Sequence, residues 1–324
     1  MDMRHRPLIT EFSLALAMAG LFAAGEARAQ FHFNYSTGTG EPREWVAFGD
    51  SIIAGYCGIF CPVVKSYASH FADEAAAEND WAIDLAGFPH SGETTIQIYD
   101  EMLNTHNAEL QAADGIVWSA GGNDFLAARA DYASSCNVAA LDQALSDFRD
   151  DWDLIIALVS SNAAPDALIR TMDIYYPDPD VDRTNFCGSV SDFEVFFPRL
   201  LAEGDYMCDT AMAAGFECAS SMEAMNCDEI DADHTIDPDC FDISGDNIRD
   251  PLDVIKYVGG VPTTWSSATR SGMIQSDRTH PGTVGQQYIG EAHHALGYLP
   301  EPSIGVSLSA GIVLLALLER RRKV

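Results

Sequence analysis

Between Trp45 and Tyr176 short apolar runs alternate with amphipathic ones, and this alternation limits the architectures open to the chain more than any other feature. Trp45-Val46-Ala47-Phe48 reads as a short buried strand, Val63 to Ala77 as a helix, Trp81 to Leu85 as a second strand, and Thr95 to Leu103 as a second helix. A third strand is expected over Gly115 to Ser119. A fourth runs over Ala167 to Tyr176, stopped by Pro177 and Pro179. Between these, Leu141, Leu145, Phe148, Trp152, Ile155 and Val159 recur at steps of four and three, the clearest helix in the chain. Strands alternating with helices predict a parallel sheet covered on both faces. Helical periodicity returns from Val284 to Leu296, where His293 and His294 are expected to be exposed.

Two stretches depart from that rhythm. Residues 31–43 form a Gly/Ser/Thr-rich leader without periodicity. Residues 186–250 hold five of the eight cysteines and an acidic run from Asp228 to Asp239, and they read as an insertion pinned by disulfides. Within that run Asp231, Asp233 and Asp237 hint at calcium, but Ile236 stands where such a loop needs glycine, so a solvated acidic loop is expected. The remaining cysteines include Cys57 and Cys61, whose spacing is neither a redox C-x-x-C nor half of a zinc set, and a local staple is expected there.

The ends of the chain read as addresses. Arg4, His5 and Arg6 precede an apolar stretch from Phe12 to Ala24 and the small-x-small triplet Ala27-Arg28-Ala29, so residues 1–29 are expected to be a signal peptide. An exported chain with an even number of cysteines is expected to carry four disulfides. At the other end Pro300-Glu301-Pro302 leads into an apolar run from Ile304 to Leu318 and the basic cluster Arg320-Arg321-Arg322-Lys323. Residues 300–324 resemble the PEP-CTERM sorting signal of Gram-negative bacteria. That resemblance implies an exosortase-type processing enzyme as partner, transient membrane association, and a final place in the periplasm, at the outer surface or in the extracellular matrix. The mature domain is expected over residues 30–299. With 47% hydrophobic residues the chain can build one sizeable core. Its net charge of −31 argues against nucleic acid or anionic lipid headgroups as ligands.

Four short motifs carry chemistry, each placed just after a strand or near the last helix. Phe48-Gly49-Asp50-Ser51 sets a serine on a tight turn at a strand's C-terminal end, where open α/β sheets bind ligands, and Asp50 there would hydrogen-bond the turn. Ser91-Gly92-Glu93-Thr94 offers a glycine whose N–H can approach an oxyanion, whereas Gly87 shapes the turn. Gly121-Gly122-Asn123-Asp124 offers a side-chain amide that donates without titrating. In Asp277-Arg278-Thr279-His280, the D-x-x-H spacing brings a carboxylate within reach of an imidazole that can take a serine proton.

Together, and in this order, the four motifs resemble blocks I, II, III and V of the SGNH (GDSL-like) hydrolase family. The resemblance spans about residues 45–297, apart from the cysteine-rich stretch. It implies a three-layer α/β/α, flavodoxin-like fold. It also implies a triad of Ser51, Asp277 and His280 and an oxyanion hole made by Ser51, Gly92 and Asn123. The G-x-S-x-G turn of classical lipases is absent. The expectation is a secreted serine esterase acting on lipid or acetyl esters, including acetylated polysaccharide, through an acyl-enzyme, with neither metal nor cofactor. The alternative is a surface-displayed carbohydrate-binding or adhesion protein that uses the same fold without turnover.

Overall fold

Along strand β2 (Glu41–Gly49) successive side chains enter different cores, as the period of two demands. Trp45 and Ala47 join one apolar cluster, while Val46 and Phe48 join another on the opposite face of the sheet. A strand buried on both faces cannot alternate apolar with polar, which is why this one reads as an unbroken apolar run. The computed structural model describes residues 31–36, 40–55, 64–176, 187, 192–226, 275 and 279–297.

The sheet has six strands in the order β1-β3-β2-β4-β5-β6, all parallel except β1. Besides β2 these are β1 (Phe31–Ser36), β3 (Trp81–Pro89), β4 (Gly115–Trp118), β5 (Leu168–Met172) and β6 (Glu217–Ala219). Counted from β2, the parallel strands lie in the flavodoxin-like order 2-1-3-4-5. Helices α1 (Tyr67–Asn79), α7 (Ser221–Asn226) and α8 (Thr283–Ala295) cover the Trp45 face. Helices α2 (Thr95–Asn104), α3 (Asn107–Ala112), α4 (Gly122–Ser135), α5 (Val138–Asn162) and α6 (Asp192–Ala213) cover the Phe48 face. The expected three-layer α/β/α architecture is present.

Two stretches that lack periodicity take part in the sheet. Phe31–Ser36 pairs antiparallel with β3 as an edge strand. Phe31 lies over Gly87, where an added Cβ would come within 2.1 Å of its ring, so Gly87 makes room for a side chain and does not shape a turn. The first half of the cysteine-rich stretch supplies α6 and β6, the fifth parallel strand. It is short and only partly buried, so no long apolar run announces it. One disulfide ties this region to the rest and a second ties it internally. Cys136–Cys187 joins the end of α4 to the segment before α6, and Cys208–Cys218 joins α6 to β6. Cys57, Cys61, Cys227 and Cys240 lie outside the described residues, as do the expected signal peptide, the acidic run 228–239 and residues 300–324.

Helix α8 corrects a second expectation. His293 is wholly buried, its ring stacked on Tyr67 with centroids 5.0 Å apart. Burial, with Arg170 nearby, pushes its pKa well below the ordinary value, so it sits in the core as a neutral ring. His294 faces Glu74 and Glu78 at 3.6 and 3.5 Å. The end of α8 is held by Arg170 of β5, itself fully buried. Its guanidinium donates to Glu217 of β6 at 2.6 Å and to the backbone carbonyls of His293 and Gly297.

Helix α5 places Leu141, Leu145, Phe148, Trp152, Ile155 and Val159 on its buried face, as the spacing predicts. Trp152 is fully buried and its indole N–H donates to Thr210 Oγ1 at 2.9 Å. Trp152→Ala should therefore lower the free energy of unfolding by about 3–5 kcal/mol, read from urea denaturation. A cost below about 1 kcal/mol would show that α5 does not pack as described.

Candidate active site

The parallel order reverses at β2, because the chain moves from β2 to β3 on one side and then crosses to β4 on the other. The ends of β2, β3 and β4 therefore border the crevice where such sheets bind ligands. Three of the four motifs sit on the connections that leave those strand ends.

The first turn is tight. A Cβ at Gly49 would meet Ser119 O at 2.6 Å, so only glycine allows the strand end to pass its neighbour this closely. Asp50, 3% exposed, accepts the Ile52 N–H at 2.9 Å through Oδ1 and orients the turn that carries Ser51. Ser51 Oγ lies 2.8 Å from His280 Nε2, a contact between residues 229 positions apart. The segment bearing His280 is fixed on several sides. The Gln275 N–H donates to His280 O at 2.9 Å, Gln275 Nε2 to Pro281 O at 2.7 Å, and the Tyr175 hydroxyl to Thr279 O at 2.7 Å.

A residue without any motif joins these parts. Gln286, on the buried face of α8, accepts the Tyr67 N–H at 2.8 Å and donates to Ile52 O at 3.0 Å. It thus ties the helix that follows His280 to the turn that carries Ser51. The only sign in the sequence is a polar residue on the apolar stripe of an amphipathic helix, which is a weak one.

After β3 the loop stays against the serine turn through the His90 N–H, which donates to Gly49 O at 2.9 Å. Gly92 has φ +89° and nothing within 4 Å of where a Cβ would stand. Its glycine is required by conformation, not by space. Asn123, in the first turn of α4, donates through Nδ2 to Asp50 Oδ2 at 3.0 Å and to Glu93 O at 2.8 Å. Both amide hydrogens are engaged, so the side chain bridges the Ser51 turn and the Gly92 loop, and donation to an oxyanion requires an exchange of partner. Asp124 Oδ2 accepts both the N–H and the hydroxyl of Thr95 at 2.9 Å, which joins the starts of α4 and α2. Of the expected site residues, Ser51 and His280 are in contact, Asn123 is linked to the Ser51 turn through Asp50, and Gly92 lies in the loop that Asn123 grips. Asp277 lies outside the described residues.

Beside Ser51 and His280 opens a cavity of about 110 Å³. Its walls include Phe125, Leu126, Ile174, Tyr176, Phe196 and Leu200, so α6 of the cysteine-rich stretch forms one side of it.

One further cluster adjoins this site. His90 Nδ1 lies 2.6 Å from Glu101 Oε2 and 3.2 Å from Glu93 Oε1, and His106 Nε2 lies 3.5 Å from Glu101 Oε1. Among the described residues, His90, Glu93 and Glu101 are the one group spaced to hold a metal ion. Burial pushes Glu93 up to about 7, opposed by His90 and reinforced by Glu101.

No protein-family model and no curated protein matches the chain in sequence. Solved structures match it in shape. A lipase from a goat rumen metagenome aligns with a TM-score of 0.55 at 16% identity, over 79% of this chain and 98% of that one. The chain shares that lipase's fold. An acetylxylan esterase from Geobacillus stearothermophilus aligns at 0.49 and 14% identity, over 81% of this chain and 97% of that one. An α/β hydrolase enzyme from the metagenome of Lake Arreo aligns at 0.48 and 16% identity, over 80% and 98%. At such identities the likeness concerns the fold alone.

Two predictions follow from the site. Gln286→Leu leaves the Tyr67 N–H and Ile52 O unpaired, each costing about 1–3 kcal/mol. It should lower the urea midpoint and also displace His280; an unchanged midpoint would show that the amide bridges nothing of consequence. The second concerns pH. Burial raises Asp50 from an ordinary 3.8 to about 6, and it raises Glu74, with help from Glu291, from 4.5 to about 7. Between about pH 4 and 7 these two carboxyls hold protons in the folded chain that they have released in the unfolded one, so their contribution to stability falls as pH rises through that window. The buried His293 and half-buried His70, pushed below their ordinary value, contribute in the opposite sense. The gain in urea midpoint of Glu74→Gln over the wild type, which isolates one of these carboxyls, should be larger at pH 8 than at pH 5. The reverse order would overturn the assignment.

Proposed function

We propose that the protein is a serine hydrolase of carboxylic esters, with Ser51 as nucleophile and His280 as general base. The observation that carries this reading is the 2.8 Å contact of Ser51 Oγ with His280 Nε2 at the mouth of an apolar cavity. Neutral His280 takes the proton as Ser51 Oγ attacks the ester carbonyl, then returns it to the leaving alkoxide, and the acid remains bound to Ser51 as an acyl-enzyme. Water activated by the same imidazole releases the acid. Asp277, three residues before His280, is assigned to hold the imidazole in the right tautomer. The N–H groups of Ser51 and Gly92 and the amide of Asn123 are assigned to the oxyanion. Asn123 would turn one donor from Glu93 O or Asp50 toward the developing charge.

The apolar lining favours the lipid-ester half of the expectation over acetylated sugar. A cavity of 110 Å³ holds on the order of seven to ten water-sized groups, which suits an acyl chain of several carbons. The chain is further proposed to be exported after loss of residues 1–29, with its C-terminal segment read by an exosortase-type enzyme. Among the described residues no helix is long and apolar enough to cross a membrane.

A fluorophosphonate probe should label the wild type at Ser51, and Ser51→Ala and His280→Ala should each lower kcat/KM on p-nitrophenyl esters by about 10³-fold or more. Asn123→Ala should cost about 10²–10³ in kcat. In a panel of increasing acyl length, kcat/KM should rise beyond acetate and then fall. Full activity in folded Ser51→Ala would overturn Ser51 as the nucleophile, and neither labelling nor turnover by the wild type would favour a binding protein that uses this fold without turnover.

A further inference from the structure

The cluster of His90, Glu93 and Glu101 has a composition that the ester chemistry does not use. Two carboxylates converge on one imidazole nitrogen, Glu101 being only 8% exposed. Among the described residues neither carboxylate pairs with a lysine or arginine; their cationic partners are histidines, charged only when protonated. With neutral imidazoles and both carboxyls ionised, the cluster would carry two negative charges in a half-buried place, an arrangement that a divalent cation neutralises. Glu93 Oε2 is buried and has no hydrogen-bond partner.

The geometry is close to that of a coordination shell. In a tetrahedron with bonds of about 2.0–2.1 Å the ligand atoms stand about 3.3 Å apart. His90 Nδ1 and Glu93 Oε1 stand 3.2 Å apart, and all three ligand atoms lie within 4.8 Å of one another. The 2.6 Å contact of His90 with Glu101 would open by roughly half an ångström or more as a metal replaced the shared proton. His106, stacked on Phe88 with centroids 3.9 Å apart, faces the other oxygen of Glu101 and steadies that carboxylate, as ligands in metal sites are steadied.

We propose that His90, Glu93 and Glu101 bind a zinc-class divalent cation, completed by water, which locks the loop bearing Gly92 to helix α2. An imidazole ligand and only two carboxylates suit zinc and disfavour calcium, which takes six to eight oxygens. The ion is structural. Two of its ligands bracket Gly92, and their own backbones contact the site: the His90 N–H donates to Gly49 O, and Glu93 O accepts from Asn123. Binding of the ion is independent of the ester-hydrolase reading; only the consequence for Gly92 rests on it.

Isothermal titration of the EDTA-treated full chain with zinc chloride tests this, with cobalt(II) as a spectroscopic stand-in and calcium chloride as competitor. One zinc per chain is expected at micromolar affinity or tighter, with the visible bands of four-coordinate cobalt and no displacement by equimolar calcium. Glu93→Gln and His90→Asn should each weaken binding at least ~10-fold. Both positions are in a partly exposed loop, and either variant suffices if its near-ultraviolet dichroism is native. Amide exchange over residues 90–94 should slow when zinc saturates the wild type. Absence of saturable binding, or wild-type affinity in a folded variant, would overturn the site. Unchanged exchange at saturation would overturn the locking role. Loss of probe labelling at Ser51 with zinc binding intact would strike only the catalytic reading.

Discussion

The side-chain amide of Gln286 holds together parts of the molecule that no local rule would bring near one another. It is fully buried, and it uses one acceptor and one donor to pair the backbone N–H of Tyr67 and the carbonyl of Ile52. Those groups belong to the start of α1 and the turn after β2, whereas Gln286 belongs to the last helix. An unpaired N–H or C=O is costly in a dry interior, so the three segments keep one relative position. His280 lies immediately before that helix, and its 2.8 Å approach to Ser51 depends on this bridge together with the Gln275 and Tyr175 contacts.

The sheet supplies the other half of the arrangement. Its strand order places the ends of β2, β3 and β4 around one crevice, so three loops distant in sequence share a wall. Asn123 works across that wall, since its amide reaches Asp50 on one loop and the carbonyl of Glu93 on another. Helix α6, tied by Cys208–Cys218 to β6 and preceded by the Cys136–Cys187 link to α4, contributes Phe196 and Leu200 to the cavity. The cysteine-rich stretch is thus partly scaffold and partly pocket wall.

Acidity marks the whole molecule. The net charge is −31, and the shifted carboxylates Asp50, Glu74, Glu93, Asp124 and Asp151 are all shifted upward, burial being the leading cause in each. Carboxylates removed from water without cations beside them hold their protons longer. The few arginines are placed where a charge is anchored. Arg149 pairs with Glu203 through two nitrogens at 2.6 and 2.9 Å, and Arg170 binds Glu217 and the end of α8.

By itself the sequence determined the alternation of strands and helices, the buried face of α5, and Ser51, Gly92, Asn123 and His280 as candidates. Each of these is encoded within a few neighbouring residues, through periodicity or through a strand end followed by a short polar motif. Tertiary structure alone decided the rest. Phe31–Ser36 becomes a strand only because β3 offers it an edge and Gly87 leaves space for Phe31. Glu217–Ala219 becomes one because β5 offers the other edge. His293 is buried because Tyr67 and Phe71 close over it, and a histidine on a helix carries no local sign of that. Gln286 and the pairing of His90 with Glu101 follow the same rule: their partners come from other elements or other turns, and hydrogen bonds and charges act through space, which sequence spacing does not record.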